Sequence, residues 1–241
     1  MNNGKNLIVG DKSGDIYLLD CILNNVRDLK TEDKQLYTEL TKCCIETNIE
    51  NLIDLSPSPN DKKIVIAGEK ELHILDVDSA KKEIDLENVS REITSCDWNP
   101  QKALILSTDD SYKIRLWDPR VFESLAEISS HNQPVTTGKW HQNGTYFITG
   151  GKDHAVKLFD IRKLEKPSNE FSCYSEITCI KWNPMLSNIF VTGDNQGNIL
   201  HFSVHENSHI DQICCDDKVI DIDFHPLGNI MCFIDNKKVL K

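Results

Sequence analysis

The sequence predicts an all-β fold made of repeated units, and two observations carry this prediction. Trp98, Trp140, Trp182 and Phe224 follow one another at a constant spacing of 42 residues. Around each of these aromatic residues, short runs of β-branched and aromatic residues alternate with polar ones and are separated by turn residues, as β-strands are. Several short strands repeated every 40–45 residues or so are typical of the blades of a β-propeller.

The clearest unit is residues 138–160, which reads as three short strands in succession. The dipeptide Asn143-Gly144 predicts a tight hairpin turn, because both residues tolerate a positive φ. Residues 145–149 are rich in β-branched and aromatic side chains, and residues 155–160 alternate apolar with polar ones. The alternation predicts a half-buried strand.

The first strands of four units share a pattern. Apolar or small residues recur at the same three positions of each strand, and Asp97, Lys139, Lys181 or Asp223 directly precedes the aromatic residue. The apolar positions are 93, 96, 98; 135, 138, 140; 177, 180, 182; and 219, 222, 224. This spacing departs from a strict period of two and therefore predicts a β-bulge or burial on both faces.

In chain order, the sequence predicts six units in a single domain over residues 1–241. The predicted units are residues 6–30, 50–87, 93–129, 135–173, 177–213 and 219–241. A repeat of this kind cannot bury both faces without its neighbours, which favours one domain. The first unit contains strands two to four, with residues 25–30 as the fourth. An insertion at residues 31–48 is predicted to be a surface loop with a short helix.

The terminal units determine whether the predicted ring can close. The last unit contains strands one to three, with residues 237–241 as the third, so both terminal units lack a strand. Propellers usually close by pairing strands from opposite ends of the chain in one blade, which removes exposed edges. We therefore expect an open arc or an imperfectly closed ring of about six blade positions. Direct closure as a compact six-bladed ring is the alternative.

Composition narrows the classes of function. The formal net charge is −11, which argues against broad contact with a nucleic-acid backbone. None of the nine cysteines forms a C-x-x-C pair, and Cys96 and Cys179 fall inside predicted strands, where a thiol acts as a small hydrophobic group. Reduced structural cysteines are typical of intracellular proteins. The sequence contains no signal peptide and no apolar run long enough to cross a membrane.

Several segments resemble a known family. These segments are CDWNP at residues 96–100, LWDPR at 116–120, DHAVKLFDIR at 153–162 and FHPLGNI at 224–230. The chain as a whole resembles a WD-repeat β-propeller. From about Ser95 onward it is similar to the WD-repeat subunit of the pre-mRNA cleavage and polyadenylation factor.

The resemblance implies a ring of seven blades, of which about six positions are present here with incomplete terminal blades. It further implies a nuclear, non-catalytic scaffold without a cofactor, whose partners are the other subunits of a multiprotein RNA-processing complex. The basic N-terminal segment by which that family contacts RNA has no counterpart in these residues. Direct RNA binding by this chain alone is therefore expected to be weak or absent. A substrate receptor of a cullin-type ubiquitin ligase and a general protein-interaction scaffold are the alternatives.

His131, Thr149 and Asp153 match positions that form a hydrogen-bonded network in WD repeats. The fourth member of that network is normally tryptophan, and here it is Phe159. A histidine near an aspartate and a hydroxyl could instead indicate nucleophilic catalysis, but the repeat itself places all three, which favours a structural role. In other units Ser111 or Gln196 occupies the aspartate position, so we expect those units to be held by packing alone.

Two arginines and a group of lysines are candidate protein-interface residues. Arg120 and Arg162 each end a Trp/Phe-Asp-x-Arg segment, which resembles the W-D-x-R box of receptors for cullin ligases. Alternatively, each arginine bonds its own aspartate and closes its own turn. Lys152 and Lys163 are the other two candidates, within a predicted cationic cluster that is more typical of a solvated surface than of an RNA patch. The cluster consists of Lys152, Lys157, Arg162, Lys163 and Lys166.

No pattern of a catalytic, metal or cofactor site is evident. The eight histidines form no ligand-spaced pair with cysteine. A glycine-rich phosphate loop and a nucleophile elbow are both missing from the sequence. A propeller enzyme with its site in the central channel is therefore disfavoured.

Overall fold

A computed structural model describes the chain over nine ranges, and these residues form twenty-one β-strands and no helix. The described ranges are 6–11, 13–20, 41–47, 49, 51–79, 81–86, 91–121, 123–206 and 208–237. All strand pairs are antiparallel, and they form six separate sheets. The predicted all-β fold class is confirmed.

The first two sheets contain three and four strands. The first sheet has the order β1 (Asn6–Gly10), β2 (Asp15–Asp20), β3 (Thr41–Glu46). The second has the order β4 (Asp54–Pro57), β5 (Lys63–Ala67), β6 (Leu72–Asp76), β7 (Lys81–Leu86).

The next three sheets repeat the four-stranded arrangement. The third consists of β8 (Ile93–Trp98), β9 (Ile105–Asp109), β10 (Lys113–Trp117) and β11 (Ser124–Ser129). The fourth consists of β12 (Val135–Trp140), β13 (Tyr146–Gly151), β14 (Ala155–Asp160) and β15 (Asn169–Ser172). The fifth consists of β16 (Ile177–Trp182), β17 (Ile189–Asp194), β18 (Asn198–Ser203) and β19 (His209–Cys214). The sixth sheet pairs β20 (Val219–Phe224) with β21 (Met231–Asp235).

The predicted irregularity of the first strands is confirmed in both of its proposed forms. The pairing register shifts near the start of β8, β12, β16 and β20, which marks a bulge in each strand. In β8, β12 and β16 the first, third, fourth and sixth residues are buried, so side chains on both faces of the strand are covered. Each of these strands belongs to a sheet that is packed between neighbouring sheets, which is why burial does not alternate along it.

The core lies between successive sheets. Trp98 and Trp117 belong to the cluster between the second and third sheets, and Phe147 and Phe159 to that between the third and fourth. Phe171, Phe190 and Phe202 fill the space between the fourth and fifth sheets, where the rings of Phe190 and Phe202 stack with centroids 5.2 Å apart. The first strands of neighbouring sheets contact one another, as they do around the axis of a propeller.

The first sheet differs from the predicted first unit. Thr41–Glu46 pairs with β2, so part of the stretch assigned to a loop with a short helix is a strand. The prediction was wrong because the irregular spacing of the apolar residues there hides a strand whose partner decides its conformation. The outer position beside β2 is thus taken by β3. Residues 25–30, the predicted fourth strand, lie outside the described residues, and so do residues 31–40.

At the other end of the chain, residues 238–241 of the predicted third strand also lie outside the described residues. Among the residues that are described, no backbone hydrogen bond joins β1–β3 to β20–β21.

The turns at the two ends of the sheets form two separate faces. The turns between first and second strands and between third and fourth strands lie at one end of every four-stranded sheet, which we call the lower face. The turns between second and third strands and the links between successive sheets lie at the other end, the upper face. A strand of six residues separates the two by about 20 Å.

Candidate protein-interaction surfaces

His131, Thr149 and Asp153 are brought together on the upper face of the fourth sheet. The Nδ1 atom of His131 lies 2.9 Å from Oδ1 of Asp153, and its Nε2 atom lies 2.8 Å from Oγ1 of Thr149. The backbone N–H of Asn132 donates to Oδ2 of Asp153 at 3.1 Å. The three side chains therefore tie the link between the third and fourth sheets to the turn between β13 and β14.

Burial decides the protonation and the chemistry of this network. The imidazole of His131 is fully buried, which lowers its pKa although the hydrogen bond that it donates to Asp153 opposes the shift. The neutral ring then donates from Nδ1 to Asp153 and accepts at Nε2 from the Thr149 hydroxyl. Burial acts to raise the pKa of Asp153, but its hydrogen bonds from His131 and Asn132 outweigh it and leave the pKa lowered. Because Thr149 has no exposed surface, no substrate can reach its hydroxyl.

A glycine makes room for the network. A Cβ atom at Gly151 would lie 2.6 Å from Oδ1 of Asp153 and 2.8 Å from Nδ1 of His131. The residue equivalent to Gly151, at the end of the second strand, is Asp109 in the third sheet and Asp194 in the fifth. The fourth sheet therefore carries its aspartate two residues later, in the turn itself.

The expectation that the other sheets are held by packing alone was wrong. Oδ1 of Asp109 accepts from the N–H groups of Ser111 at 2.9 Å and Lys113 at 3.1 Å. Oδ1 of Asp194 accepts in the same way from Gln196 and Asn198. Asp11 and Asp235 cap their turns in the same manner. The sequence signal is an aspartate that recurs two residues before Ser111 and Gln196.

The third sheet adds a buried ion network to this cap. The guanidinium of Arg115 pairs with Oδ2 of Asp109, and its Nε atom lies 3.1 Å from Oε2 of Glu127. The indole N–H of Trp117 donates to Oγ of Ser107 at 2.8 Å. The tryptophan that Phe159 replaces in the fourth sheet is thus present here with its hydrogen bond. Each sheet uses a different subset of polar contacts.

Arg120 and Arg162 both lie on the lower face, and each forms a two-pronged ion pair with its own aspartate. The Nε and Nη2 atoms of Arg120 donate to Asp118 at 2.8 and 2.7 Å. Those of Arg162 donate to Asp160 at 2.9 and 2.6 Å, which lowers the pKa of Asp160 to about 2. The arginine side chains remain 76% and 66% exposed, so their outer edges face solvent.

The predicted cationic cluster is not a cluster in the structure. Lys152 lies in the turn between β13 and β14 on the upper face, whereas Arg162 and Lys163 follow β14 on the lower face. Lys157 lies within β14, is buried, and donates from Nζ to the carbonyl of Ser130 at 2.8 Å. The grouping was wrong because residues close in sequence are separated by the full length of a strand.

Neighbouring sheets are linked on the lower face through their first turns. Nδ2 of Asn99 donates to the carbonyl of Gly144 at 3.0 Å, and Asn183 donates likewise to Gly228 at 2.9 Å. Both glycines have a positive φ, of 63° and 70°, which favours glycine. His141 occupies the same position in the fourth sheet and donates from Nε2 to the carbonyl of Ser187 at 2.8 Å. These contacts fix the lower-face turns relative to one another.

Other chemistry is limited in the described part of the chain. No group of three or more His, Cys, Asp or Glu residues is placed to hold a metal ion there. The seven cysteines that can be placed form no disulfide bond among the described residues, and burial raises the pKa of Cys173 and of Cys179 to about 12. Their thiols are therefore poor nucleophiles. Within the same residues, no helix has the length and apolar character needed to cross a membrane.

Comparison with known proteins supports the fold. The WD40 family model (WD domain, G-beta repeat) matches residues 86–118 and 122–160. Protein SOF1 of Saccharomyces cerevisiae is 28% identical over 120 residues, which are 48% of this chain and 24% of that protein. Pre-mRNA-processing factor 19 of Bos taurus is 26% identical over 161 residues, 66% of this chain and 32% of that protein. Eukaryotic translation initiation factor 3 subunit I of Bombyx mori is 26% identical over 102 residues, 42% of this chain and 31% of that protein.

The chain thus spans a quarter to a third of the length of these relatives. None of the three is named as a subunit of the cleavage and polyadenylation factor, so the narrower resemblance is not supported by them. Residues 86–118 and 122–160 are WD40 repeats, and the six antiparallel sheets give this chain the fold of a WD-repeat β-propeller.

Proposed function

We propose that the chain is a non-catalytic WD-repeat scaffold that holds other protein subunits of an RNA-processing complex. Of such complexes, we favour the nuclear pre-mRNA 3′-end cleavage and polyadenylation complex, because residues 96–100, 116–120 and 153–162 resemble those of its WD-repeat subunit. A relative named as a pre-mRNA-processing factor supports the wider class. WD40 repeats generally serve as protein-interaction modules.

An exposed apolar patch on the lower face is the observation that carries this proposal. Met185 and Leu186 in the first turn of the fifth sheet are 64% and 56% exposed, and Leu227 and Ile230 in the first turn of the sixth are 64% and 61% exposed. The two turns touch, because a Cβ atom at Gly228 would lie 3.0 Å from Cβ of Met185. Contiguous exposed apolar side chains of this kind mark protein-binding surfaces.

The polar residues that could perform chemistry support the same conclusion. His131 and Thr149 are buried and are bonded to each other, Asp153 is half-buried and bonded to His131, and the Asp109–Arg115 pair is enclosed in the third sheet. Their contacts hold strands and turns in place. What the described surface offers to other molecules is apolar turns and scattered charges.

Affinity purification of the tagged full-length protein from its own cells, followed by mass spectrometry, tests the proposal. We expect endonuclease and zinc-finger subunits of the polyadenylation machinery to co-purify. The variant Met185→Glu/Leu227→Glu should lose them, whereas Val121→Glu, an exposed apolar position outside the patch, should keep them. Recovery of another set of RNA-processing proteins would retain the scaffold and reject the specific complex. Recovery of no RNA-processing protein would reject both.

The second candidate is a substrate receptor of a cullin-type ubiquitin ligase. Arg120 and Arg162 favour it because both lie exposed on the lower face after the third strands of consecutive sheets. Each guanidinium already uses Nε and Nη2 for its own aspartate, which leaves its remaining edge for a partner. Co-purification of a ubiquitin-ligase adaptor that disappears in Arg120→Ala/Arg162→Ala would establish this candidate.

A further inference from the structure

We propose that a groove on the lower face of the second, third and fourth sheets binds a proline-rich segment of a partner protein that carries acidic residues at one end. The inference rests on the proposed scaffold function and adds the chemical class of one partner. The groove lies apart from the patch of Met185, Leu186, Leu227 and Ile230, which belongs to the fifth and sixth sheets.

The groove consists of two adjoining cavities of about 340 and 320 Å³. Pro59 and Trp98 line both cavities and form the ridge between them. The first cavity extends toward Trp140, and the second extends toward Arg120. Two adjacent shallow cavities suit an extended ligand that places alternate side chains in each.

Rigid apolar rings form part of the walls, mainly in the first cavity. Pro57, Pro100 and Trp140 line the first cavity, and Pro119 lines the second, in addition to the shared Pro59 and Trp98. Grooves lined by aromatic rings receive proline-rich segments in the polyproline II conformation. Such a ligand is already extended when free, so little conformational entropy is lost on binding.

The first cavity also borders a tryptophan whose hydrogen-bond donor is unused. The indole N–H of Trp140 is buried and has no acceptor among the described residues. The N–H of Trp182, the equivalent residue of the fifth sheet, donates to the Lys139 carbonyl, and that of Trp117, on a third strand, donates to Ser107 Oγ. A polyproline II segment has no internal hydrogen bonds, and its carbonyl groups are free to accept. Because the indole nitrogen has no accessible surface, the Trp140 ring must turn slightly before a ligand carbonyl can accept from it.

A ligand that pairs as an added β-strand fits this groove less well than a proline-rich segment does. The first strands β8 and β12 have an unpaired edge, but side chains of the preceding sheet already occupy it. Ser56 Oγ accepts from the N–H of Trp98 at 3.0 Å, and Asp97 Oδ2 accepts from the N–H of Trp140 at 2.7 Å. Asp54 and Ser95 accept similarly from the N–H groups of Cys96 and Gly138. An incoming strand would find few donors, whereas a proline-rich segment needs no ladder.

Charge gives the ligand a direction. Lys63, Lys102 and Arg120 line the second cavity, and the first cavity contains the carboxylate of Asp97. Because Arg120 is paired with Asp118, a ligand carboxylate would meet Lys102 and the outer edge of the Arg120 guanidinium. A ligand with aspartate or glutamate beside Arg120 and Lys102 is complementary to these two groups. The acidic end of the segment is therefore assigned to the second cavity.

Fluorescence anisotropy of the purified full chain tests the assignment. The probe is a fluorescein-labelled peptide of alternating prolines that ends in two aspartates, and the comparison peptide replaces each proline with glycine. Pro59→Arg should weaken binding of the proline peptide by about tenfold or more, because its side chain fills both cavities without adding negative charge. Pro226→Arg, an exposed proline in the equivalent turn of the sixth sheet, should leave binding unchanged. Circular dichroism verifies that both variants are folded.

Two further measurements separate the roles of donor and charge. Trp140→Phe keeps a ring but removes the N–H, and it should weaken binding by about threefold to tenfold. In an NMR titration, the indole signal of Trp140 should shift and that of Trp117 should not. The change Lys102→Glu/Arg120→Glu should weaken the acidic peptide but not a peptide ending in two asparagines.

Equal binding of the glycine peptide, an unmoved Trp140 signal or undiminished binding by Pro59→Arg would each overturn the inference. Displacement of the peptide by an RNA oligonucleotide of equal charge would do the same, since it would assign the cationic end to nucleic acid. A failure here is distinguishable from failure of the scaffold proposal. The latter is decided by the proteins that co-purify from cells, whatever the peptide does.

Discussion

Nδ1 of His131 lies 2.9 Å from Oδ1 of Asp153, and this pair joins the link between two sheets to a turn in the fourth sheet. The carboxylate also accepts the N–H of Asn132, so one side chain satisfies two donors of the link. Among the described residues, the side chains of Asp109 and Asp194 bond only groups of their own sheets. The fourth sheet is thereby connected to its predecessor through buried polar groups as well as through the apolar core.

Asp153→Ala should lower the free energy of unfolding by about 1–3 kcal/mol, because His131 and Asn132 lose a buried acceptor. Asp110→Ala is the matched control in the corresponding turn of the third sheet. Oδ1 of Asp110 has no partner within the described residues, so its removal should cost less. Urea denaturation of the two variants and the wild type measures the difference. Equal stability of Asp153→Ala and wild type would show that the network contributes nothing.

Stability should decrease as the pH falls below neutral, and His131 should account for part of the decrease. Its folded-state pKa is lowered from 6.5, so the unfolded chain binds a proton more readily and acidification favours unfolding below that value. Asp153, whose pKa is lowered from 3.8, contributes stability above that value and loses it at more acidic pH.

Melting temperatures of wild type and His131→Gln between about pH 7 and pH 5 check this expectation. The wild type should lose more stability over the interval than the variant does. Parallel curves for the two proteins would exclude His131 as a source of the pH dependence.

Asp109→Ala should be among the most destabilising single changes, at about 3–5 kcal/mol, because it leaves the buried guanidinium of Arg115 without its inner partner. Asp194→Ala removes an equivalent turn cap that has no arginine and should cost about 1 kcal/mol. Guanidinium denaturation of both variants gives the comparison. If the two changes cost the same, the Arg115 pair is not a principal stabilising contact of the third sheet.

RNA binding by this chain alone should be weak at physiological salt, with a dissociation constant of about 10⁻⁴ M or weaker and no preference for the polyadenylation signal. The net charge of −11 and the separation of Lys152 from Lys163 on opposite faces are the reasons. Any residual affinity should come from the exposed basic residues of the stretch 152–166, which exclude the buried Lys157, and should fall steeply with added salt. Fluorescence anisotropy with signal and scrambled RNA measures it, and tight, sequence-selective binding would contradict the expectation.

Much of the fold could be predicted because its signals are local. The 42-residue spacing, the Asn143-Gly144 turn and the irregular pattern of the first strands all describe neighbours along the chain, and the structure has the corresponding strands, turn and bulges. Thr41–Glu46 was missed because its apolar residues follow no clear period. The residues of the His131 network could be named because a known repeat pattern places them.

The sequence by itself determined the repeat, the position of most strands and the residues that could form buried networks. Only the tertiary structure decided that Lys152 and Lys163 lie on opposite faces and that Asp109 holds Arg115. It also decided that Trp182 has an acceptor, whereas Trp140 has none among the described residues. Strand patterns depend on side chains two residues apart, which the sequence displays directly. Contacts between residues about one repeat apart depend on how one sheet is displaced and rotated against the next, and that is set by the packing of the whole core.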